Sequence, residues 1–361
     1  MDKEIYFDHA AAVPPEPEAL ECFLAASRCH YANAEAVNLA AYRARKALQD
    51  AGTRLSQALT GNRNYPVIWG SSATELFRLT ASFPGFSTSC ATALEHPALS
   101  TNLKKSTRFA AIAVNEYGSA QIPGNSSPVD LGCLYQVQSE LGAIQKCSEI
   151  FPGMQADCRL TDGVQAAGKL PLDLSGDITV VSGVKFGSPG GAALLLKPDG
   201  KFTAPLLKHA VLFRREDYAQ SRINIPMAMA MALAAEKAVG MMEENFARTV
   251  ELNRLIRDGL REMGIMTTLP GDAELSPYIL NVMLNKEESA VVVRALGEKG
   301  IFAASGSACS AERGKPSDAL AALGIRGKRA YRTLRLSFWH TNTPEDGKFF
   351  LSELKNVLKN Y

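Results

Sequence analysis

The chain has 361 residues, of which 46% are hydrophobic and 21% charged. This composition is typical of a globular protein of two or three domains with a sizeable core. Lys plus Arg (39) nearly balances Asp plus Glu (37), so we expect no nucleic-acid partner, since phosphate binding needs clustered positive charge. No apolar run approaches the roughly 20 residues of a membrane span, and seven scattered cysteines are typical of a reduced intracellular protein. We therefore predict a cytoplasmic protein without a membrane segment.

Strands and helices alternate over the first two thirds of the chain. A helix is predicted at 72–80, with Ser71 or Ser72 as its N-cap. Strands are predicted at 66–69, 109–114, 158–160, 177–181 and 192–196. The alternation indicates an α/β fold with a largely parallel sheet and helices on both faces. Such sheets bind ligands at the carboxyl ends of their strands.

The pattern changes after a long helical stretch, 225–263, in which Gly240 and Gly264 are the candidate break and stop. Behind it, strand, helix, strand and helix are predicted in turn at 276–284, 289–299, 334–338 and 346–358. This indicates a smaller α+β unit. Three prolines between positions 14 and 17 form a stiff linker after the first residues. We predict a large domain at 14–240 and a small domain made of 1–13 and 241–361.

Two charged residues directly follow predicted strands. Lys185 enters a glycine-rich loop, and Asp162 follows the preceding strand. Burial lowers the pKa of a lysine, and a neutral amine can attack a carbonyl to form a Schiff base. A strand-end aspartate can pair with a protonated pyridine nitrogen. Each residue taken alone is more often a solvated loop residue.

Three further segments carry candidate chemistry. The residues from Ser71 to Glu75 open a helix, whose free N–H groups hold a phosphate or simply a capping side chain. His96 lies at a strand-to-helix junction that would face the same sheet edge. The small-residue loop 304–310 carries Cys309, and an accessible loop is where a nucleophilic thiol belongs.

Together these segments resemble the class V aminotransferase family of fold-type I pyridoxal-phosphate (PLP) enzymes. Among its members, the chain is most similar to the cysteine desulfurases that build iron–sulfur clusters and thiolate RNA. The resemblance runs nearly end to end. It rests on an ordered series of segments, namely Tyr6–Ala11, Ser72–Glu75, Glu95–Pro97, Glu140–Gln145, Asp162–Ala166, Lys185, Ser305–Ser310, Pro316–Ser317 and Leu334–Ser337.

The resemblance implies a role for each residue around the cofactor ring. Lys185 would hold PLP as a Schiff base and later remove the substrate Cα proton. Asp162 would keep the pyridine nitrogen protonated, and Gln165 would hydrogen-bond the phenolic oxygen. His96 would stack on the ring and assist proton transfers. Residues of these types match the functional groups of the cofactor.

The resemblance also implies how phosphate and substrate are held. Ala73, Thr74 and Ser182 would hold the phosphate, and Arg335 would clamp the substrate carboxylate with its bidentate fork. Cys309, as thiolate, would attack the sulfur of bound cysteine and leave alanine and an enzyme persulfide for a sulfur acceptor. The family further implies a homodimer and a sulfur-acceptor or scaffold protein as partner.

The chain departs from the family pattern at three places. Val184 stands where the family has a phosphate-binding histidine, and Gln138 replaces an asparagine that faces the ring and the substrate. The glycine-rich segment of the family falls on 211–215 when counted back from Pro226. Arg222 then stands where the family has a threonine that reaches the partner's phosphate. We hypothesise that Arg222 compensates for lost phosphate contacts, as a guanidinium binds phosphate well; the alternative is a divergent surface segment.

Other functions remain open at this point. A different PLP-dependent lyase (selenocysteine lyase or β-lyase) or an aminotransferase-like enzyme would make Cys309 dispensable. A non-catalytic scaffold would not need the five residues Asp162, Gln165, Lys185, Cys309 and Arg335. A nicotinamide dehydrogenase is disfavoured because no Gly-x-Gly-x-x-Gly follows the first strand. We predict no metal site, since the spacing of Cys22, Cys29 and His30 matches no zinc pattern.

Overall fold

The structure is a computed structural model that describes residues 4–216, 222–305 and 317–359. Its strands are β1 (Ile5–Tyr6), β2 (Val67–Gly70), β3 (Thr88–Thr92), β4 (Arg108–Val114), β5 (Ala120–Gln121), β6 (Val129–Tyr135), β7 (Ala156–Asp162), β8 (Ile178–Ser182), β9 (Ala192–Leu196), β10 (Met266–Thr267), β11 (Ile279–Met283), β12 (Ile301–Phe302), β13 (Ala304–Ser305) and β14 (Thr333–Ser337). Its α-helices are α1 (Pro17–Cys29), α2 (Leu39–Thr60), α3 (Ala73–Ala81), α4 (Pro97–Ser106), α5 (Cys147–Ile150), α6 (Thr203–Glu216), α7 (Ile225–Gly240), α8 (Met242–Glu262), α9 (Ser289–Gly297), α10 (Asp318–Ala322) and α11 (Pro344–Lys359).

The larger sheet has eight strands in the order β2-β9-β8-β7-β6-β3-β4-β5. Its five central strands, β8, β7, β6, β3 and β4, run parallel, while β2, β9 and β5 pair antiparallel. Parallel strands need crossover connections, and helices supply them on both faces. The predicted α/β fold with a mostly parallel, helix-flanked sheet is confirmed.

Both faces of this sheet are buried, which explains why its strands are continuous apolar runs. Val180 and Leu194 pack into the core on one face, and the next residues, Val181 and Leu195, pack into the core on the other. Alternate residues of a strand point to opposite faces, so a strand covered on both sides needs no polar alternation.

A smaller antiparallel sheet, β10-β11-β14-β13, packs with α8, α9 and α11 around a separate core. The N-terminal residues join it, because β1 pairs in parallel with β12 and Phe7 is fully buried in the same core. The prediction of a smaller α+β unit agrees with this arrangement. The domain limits 14–240, 1–13 and 241–361 stay a prediction.

The predicted elements occur within a few residues of their expected ends, but several observed elements, among them α2, α4, α6 and the strands β3 and β6, were not predicted. Strands β3 and β6 had not been predicted, although they lie in the centre of the large sheet. Helix α6 covers 211–215, the segment aligned with a glycine-rich stretch of the family.

The long helical stretch 225–263 is two helices, α7 and α8, that meet at 66°. Among the described residues, no single helix is long and apolar enough to cross a membrane. Only the bent α7–α8 pair reaches the required length and composition.

Candidate active site

Four predicted site residues follow neighbouring parallel strands at one edge of the large sheet. In the spatial order β8-β7-β6-β3, these strands are followed or ended by Lys185, Asp162, Gln138 and His96. The carboxyl ends of parallel strands meet at the same edge, so residues far apart in the chain come together there. The predicted juxtaposition of Lys185, Asp162 and His96 is present in the structure.

Lys185 ends a short 3₁₀ turn, Gly183–Lys185, that directly follows β8. The turn is tight: a Cβ on Gly183 would lie 2.4 Å from the Gly190 carbonyl oxygen, so only glycine fits. The Lys185 side chain is half-buried, and its Nζ donates hydrogen bonds to the carbonyl oxygens of Ala10, at 2.9 Å, and Ala11.

Asp162 is the last residue of β7 and is buried. One carboxylate oxygen accepts a hydrogen bond from the Val164 N–H at 2.9 Å. Burial raises the pKa of Asp162 to about 6, against the opposing influence of the Lys185 charge and the Val164 hydrogen bond. A buried carboxylate whose ionised form is disfavoured in this way is stabilised by a cation placed beside it.

His96 is the N-cap of α4, and its Nδ1 accepts a hydrogen bond from the Ala98 N–H at 3.1 Å. Burial lowers the pKa of the imidazole, and the charges of Lys185 and Arg335 lower it further. The ring is therefore neutral at physiological pH and, because Nδ1 accepts, its proton is on Nε2.

Arg335 reaches the site from β14 of the smaller sheet. One guanidinium nitrogen contacts Asp8 Oδ1 at 2.5 Å and the other donates to the Ser139 carbonyl oxygen at 3.1 Å. Gln165, behind β7, donates from Nε2 to the Ala10 carbonyl oxygen at 2.9 Å. The segment of residues 8–11 therefore contacts Lys185, Gln165 and Arg335.

The three residues predicted to hold a phosphate, Ala73, Thr74 and Ser182, lie at one edge of the large sheet. Gly70, which ends β2, and Ser182, which ends β8, are both paired with Ala192 of the strand between them. Helix α3 begins three residues after Gly70, so the N–H groups of Ala73 and Thr74 lie at this edge too. Free N–H groups at a helix N-terminus favour an anion.

The amide of Gln138 is already engaged by backbone groups. Its Oε1 accepts from the N–H groups of Glu140 and Leu141, each at 2.6 Å, and Nε2 donates to the Leu94 carbonyl oxygen at 3.2 Å. This side chain braces the loop before His96. Its predicted contacts with cofactor and substrate stay a prediction.

Arg222 lies at the wall of a cavity at the protein surface. It is exposed and lines a cavity of about 820 Å³ with Arg214 and Arg215, and none of Lys185, Asp162 and His96 lines that cavity. Arg214 is nearer to α3, because its Nη2 donates to the Trp69 carbonyl oxygen at 2.6 Å and Glu75 raises its pKa against the lowering effect of burial. The phosphate role of Arg222 stays a prediction.

Cys309 and most of its loop lie outside the described residues. Both flanks of the loop are described and lie near Arg335. Strand β13, before the loop, pairs with β14 so that Ala304 lies opposite Arg335. Ser317, after the loop, donates to Glu140 Oε2 at 2.6 Å.

Sequence reasoning had assigned no role to Asp8 or Glu95, although both lie in segments that carry the family resemblance. Asp8 pairs with Arg335. Glu95 is buried beneath the site, where burial and then the Asp162 charge raise its pKa. Their signal was the position of an acidic residue inside an otherwise apolar segment, which suggests burial with a partner.

The fold is α/β, and the strand-end residues of the large sheet lie close enough to Arg335 of the smaller sheet for its charge to lower the pKa of His96. The class-V aminotransferase family model matches residues 5–350, so the chain belongs to that family. An IscS-like cysteine desulfurase of Mycobacterium tuberculosis is 29% identical, over 94% of this chain and 93% of its own. A putative cysteine desulfurase NifS of Bacillus subtilis is 27% identical, over 94% and 91%.

Solved structures agree with this fold. A NifS-like protein superposes with a TM-score of 0.85 at 19% identity, over 99% of this chain and all of the other. A NifS-like protein from Rickettsia africae gives a TM-score of 0.82, also at 19% identity, with the same coverage. At this level of identity the likeness establishes the fold.

Proposed function

We propose that this protein is a PLP-dependent cysteine desulfurase. It converts L-cysteine to L-alanine, and the sulfur passes to Cys309 as a persulfide before transfer to an acceptor protein. The observation that carries the proposal is the convergence of Lys185, Asp162 and His96 at adjoining strand ends, with Arg335 facing them. Relatives named cysteine desulfurases, matched over more than nine tenths of the chain, support it.

The described residues suit the cofactor. The buried carboxylate of Asp162 calls for a cation, and a protonated pyridine nitrogen is one. Lys185 would bind the aldehyde carbon, while the N–H groups of Ala73 and Thr74 with Ser182 would bind the phosphate. Bound PLP supplies a conjugated ring that takes up the electrons of a substrate carbanion.

The chain's own residues then handle substrate and protons. Arg335 would bind the substrate carboxylate, since its guanidinium is already oriented by Asp8 and the Ser139 carbonyl. Lys185 Nζ would accept the Cα proton. His96, neutral and protonated on Nε2, would hold a proton for transfer at the sheet edge.

The nucleophile is best assigned to Cys309. Among the six cysteines that the structure describes, four are buried, and burial raises the pKa of each thiol. These thiols stay protonated and inert. Cys22 and Cys29 lie on α1, and burial also raises the pKa of Cys22. The Cys309 loop instead has both flanks beside Arg335 and Glu140.

The overall reaction conserves atoms and electrons. The Cys309 sulfur bonds to the substrate sulfur while the substrate Cβ–S bond breaks, and Cβ takes a proton. Cysteine plus enzyme thiol thus becomes alanine plus enzyme persulfide, with no external oxidant or reductant. A cytoplasmic location, a homodimer, and an acceptor or scaffold protein belong to the same proposal.

The test is to load the purified protein with PLP, add L-cysteine, and measure alanine and sulfide with a reductant present. We expect alanine from the wild type and a loss of at least about 100-fold for Cys309→Ala, since removal of a catalytic nucleophile costs several orders of magnitude. Cys29→Ala, an exposed cysteine on α1, is the matched control and should retain wild-type activity.

Other outcomes would revise the function. Alanine formation that survives in Cys309→Ala would identify a lyase that does not use a persulfide. A wild-type protein that takes up no PLP, seen as no visible absorption band, would contradict the proposal outright. Light scattering during size-exclusion chromatography should give about twice the 38.8 kDa chain mass if the protein is a homodimer.

A further inference from the structure

A lysine that no step above uses lies inside the molecule beside the site. Lys169 is 1% exposed, and its Nζ lies 5.8 Å from the ring centroids of both Tyr278 and Trp339. Among the described residues, no carboxylate pairs with it. Burying an ammonium group without a counter-charge costs several kcal/mol, whereas a leucine or methionine would fill the same space without this cost. Packing alone therefore does not explain a lysine here.

The backbone is shaped to turn Lys169 inward. Gly168 has φ +71°, and a Cβ there would lie 2.8 Å from the Cβ atoms of both Ala238 and Phe186. The Lys169 N–H donates to the Ala166 carbonyl oxygen at 2.9 Å and closes the turn. Only glycine combines this φ with this close approach. The turn that directs Lys169 inward therefore depends on Gly168.

A chain of hydrogen bonds links Lys169 to Lys185. Lys169 Nζ donates to Gln165 Oε1 at 3.4 Å, and Gln165 Nε2 donates to the Ala10 carbonyl oxygen at 2.9 Å. That same oxygen accepts from Lys185 Nζ at 2.9 Å. Because the protonated form of Lys169 has only donors, the oxygen end of the Gln165 amide faces it in that form. The N–H end therefore faces Ala10 and Lys185.

We propose that Lys169 is a positioning residue of the Lys185 site, which fixes the orientation of the Gln165 amide so that its N–H group points toward the cofactor. The inference rests on the proposed function and on the role that the family resemblance implies for Gln165, which is to donate to the phenolic oxygen of PLP. An amide turned the other way would present its oxygen to that anionic atom and repel it. The donor bond stabilises the ionised phenolic oxygen, so it lowers the pH at which the bound chromophore takes up a proton.

Among the described residues, the charged and titratable groups that face Lys169 come from the turn after β8 and from the N-terminal segment. Lys185 faces it from the turn after β8, and both burial and Lys185 lower the pKa of Lys169, to about 7. His9 faces it from the N-terminal segment and is neutral, since burial first and Lys169 second lower its pKa to about 4. His340, which contacts Glu16 at 2.9 Å, faces His9 in turn.

The test is a pH titration of the visible absorption of the PLP-loaded protein. In Lys169→Met we expect the midpoint to rise by about one pH unit, the effect of losing one hydrogen bond to a charged group. Lys169→Arg, or Lys169→Gln if arginine does not fit, retains a donor to Gln165 Oε1 and should return the midpoint toward that of the wild type. A purely structural role would move thermal stability but not this midpoint.

A double-mutant cycle gives the sharper control. Gln165→Leu should raise the midpoint as Lys169→Met does, and the double variant should show no further rise, because both remove the same bond. Shifts that add, or a Met variant that titrates like the wild type, would overturn the inference. Lys169→Leu is the second uncharged variant; if circular dichroism finds both unfolded, Lys169 acts on the core and the inference is wrong.

The proposed function fails in a different way. A wild-type protein that binds no PLP, or binds it without forming alanine from cysteine, would contradict the function. A wild type that binds PLP and forms alanine, but whose titration is indifferent to Lys169, would overturn only the positioning role.

Discussion

Among single residues, the site contains several ionisable groups whose charged forms are disfavoured by burial. Asp162 and Glu95 have raised pKa values, and His96 and Lys169 have lowered ones, with burial as the largest cause in each case. Such perturbed groups reduce the stability of the fold and cluster at functional sites. The cost is recovered when a ligand supplies the missing partner.

Asp162→Asn tests whether the buried carboxylate destabilises the cofactor-free protein. The Asp162 pKa rises from 3.8 to about 6 on folding, so its favourable contribution is fully present below pH 3.8 and is lost as the pH rises through about 6. The loss amounts to about 3 kcal/mol. We therefore expect the Asn variant to be more stable than the wild type by about 2 kcal/mol at pH 8, with a smaller difference at pH 4.5, as measured by urea unfolding.

The same variant should bind PLP at least about 10-fold more weakly, because Asn cannot neutralise the pyridine nitrogen. Asp157→Asn is the matched control: Asp157 lies near the other end of β7 and is exposed, so neither stability nor PLP affinity should change. A stability difference that is independent of pH would contradict the explanation by burial.

At the scale of elements, the turn after β8 decides where Lys185 lies. Gly183 approaches both the Gly190 carbonyl and Ser188, and the Gly183 N–H donates to the Gly191 carbonyl oxygen. The two ends of the loop that contains Lys185 are thus held together. Its position depends on backbone contact at a glycine rather than on packing of its own side chain.

Gly183→Ala should therefore disturb the site more than the fold. The added Cβ would meet the Gly190 carbonyl oxygen at 2.4 Å and the Ser188 Cβ at 2.7 Å, so the loop must open. We expect a loss of about 2 kcal/mol in unfolding free energy and a PLP affinity reduced at least about 10-fold, measured by fluorescence titration. The control is Gly240→Ala at the end of α7, where an added Cβ meets nothing within 4 Å. This variant should leave the unfolding free energy and the PLP affinity unchanged. Equal effects of the two variants would refute a specific role for the turn.

At the scale of the whole molecule, the N-terminal segment joins the two sheets. Residues 5 and 6 pair with β12, and Phe7 packs edge-on against Phe338 and Phe350 in the small core. The residues that follow supply the carbonyl groups that hold Lys185 and the carboxylate that holds Arg335. The site is therefore complete only when this segment is anchored.

Phe7→Ala should weaken both the fold and the site. Phe7 is fully buried, so its truncation should cost about 3–5 kcal/mol of unfolding free energy. PLP affinity should fall as well, since residues 8–11 lose their anchor. Phe349→Ala on α11 is the control, because Phe349 is 45% exposed next to the buried Phe350. Unchanged PLP affinity in a destabilised Phe7→Ala protein would separate the segment from the site.

The element pattern was predictable where local signals were strong. The predicted strand at 192–196 has the observed limits, and Ser72 caps α3 as expected from its residue type. Strand β3 was missed because Ser89 and Thr92 are polar residues buried by their place in the sheet. Helix α6 was missed because the comparison with the family suggested a glycine-rich stretch there.

Apolar periodicity, a local property, was enough to predict the alternating α/β pattern. The ordered family motifs predicted Lys185, Asp162, His96 and Arg335 as site residues. Three features emerged only from the folded chain: β8, β7, β6 and β3 are neighbours, residues 8–11 reach Lys185, and Lys169 is buried behind Gln165. These arrangements depend on strand order and on contacts between residues more than a hundred positions apart, or on a single left-handed glycine. Strand order and long-range contacts leave no trace in local composition, and the φ of Gly168 cannot be read from its residue type alone.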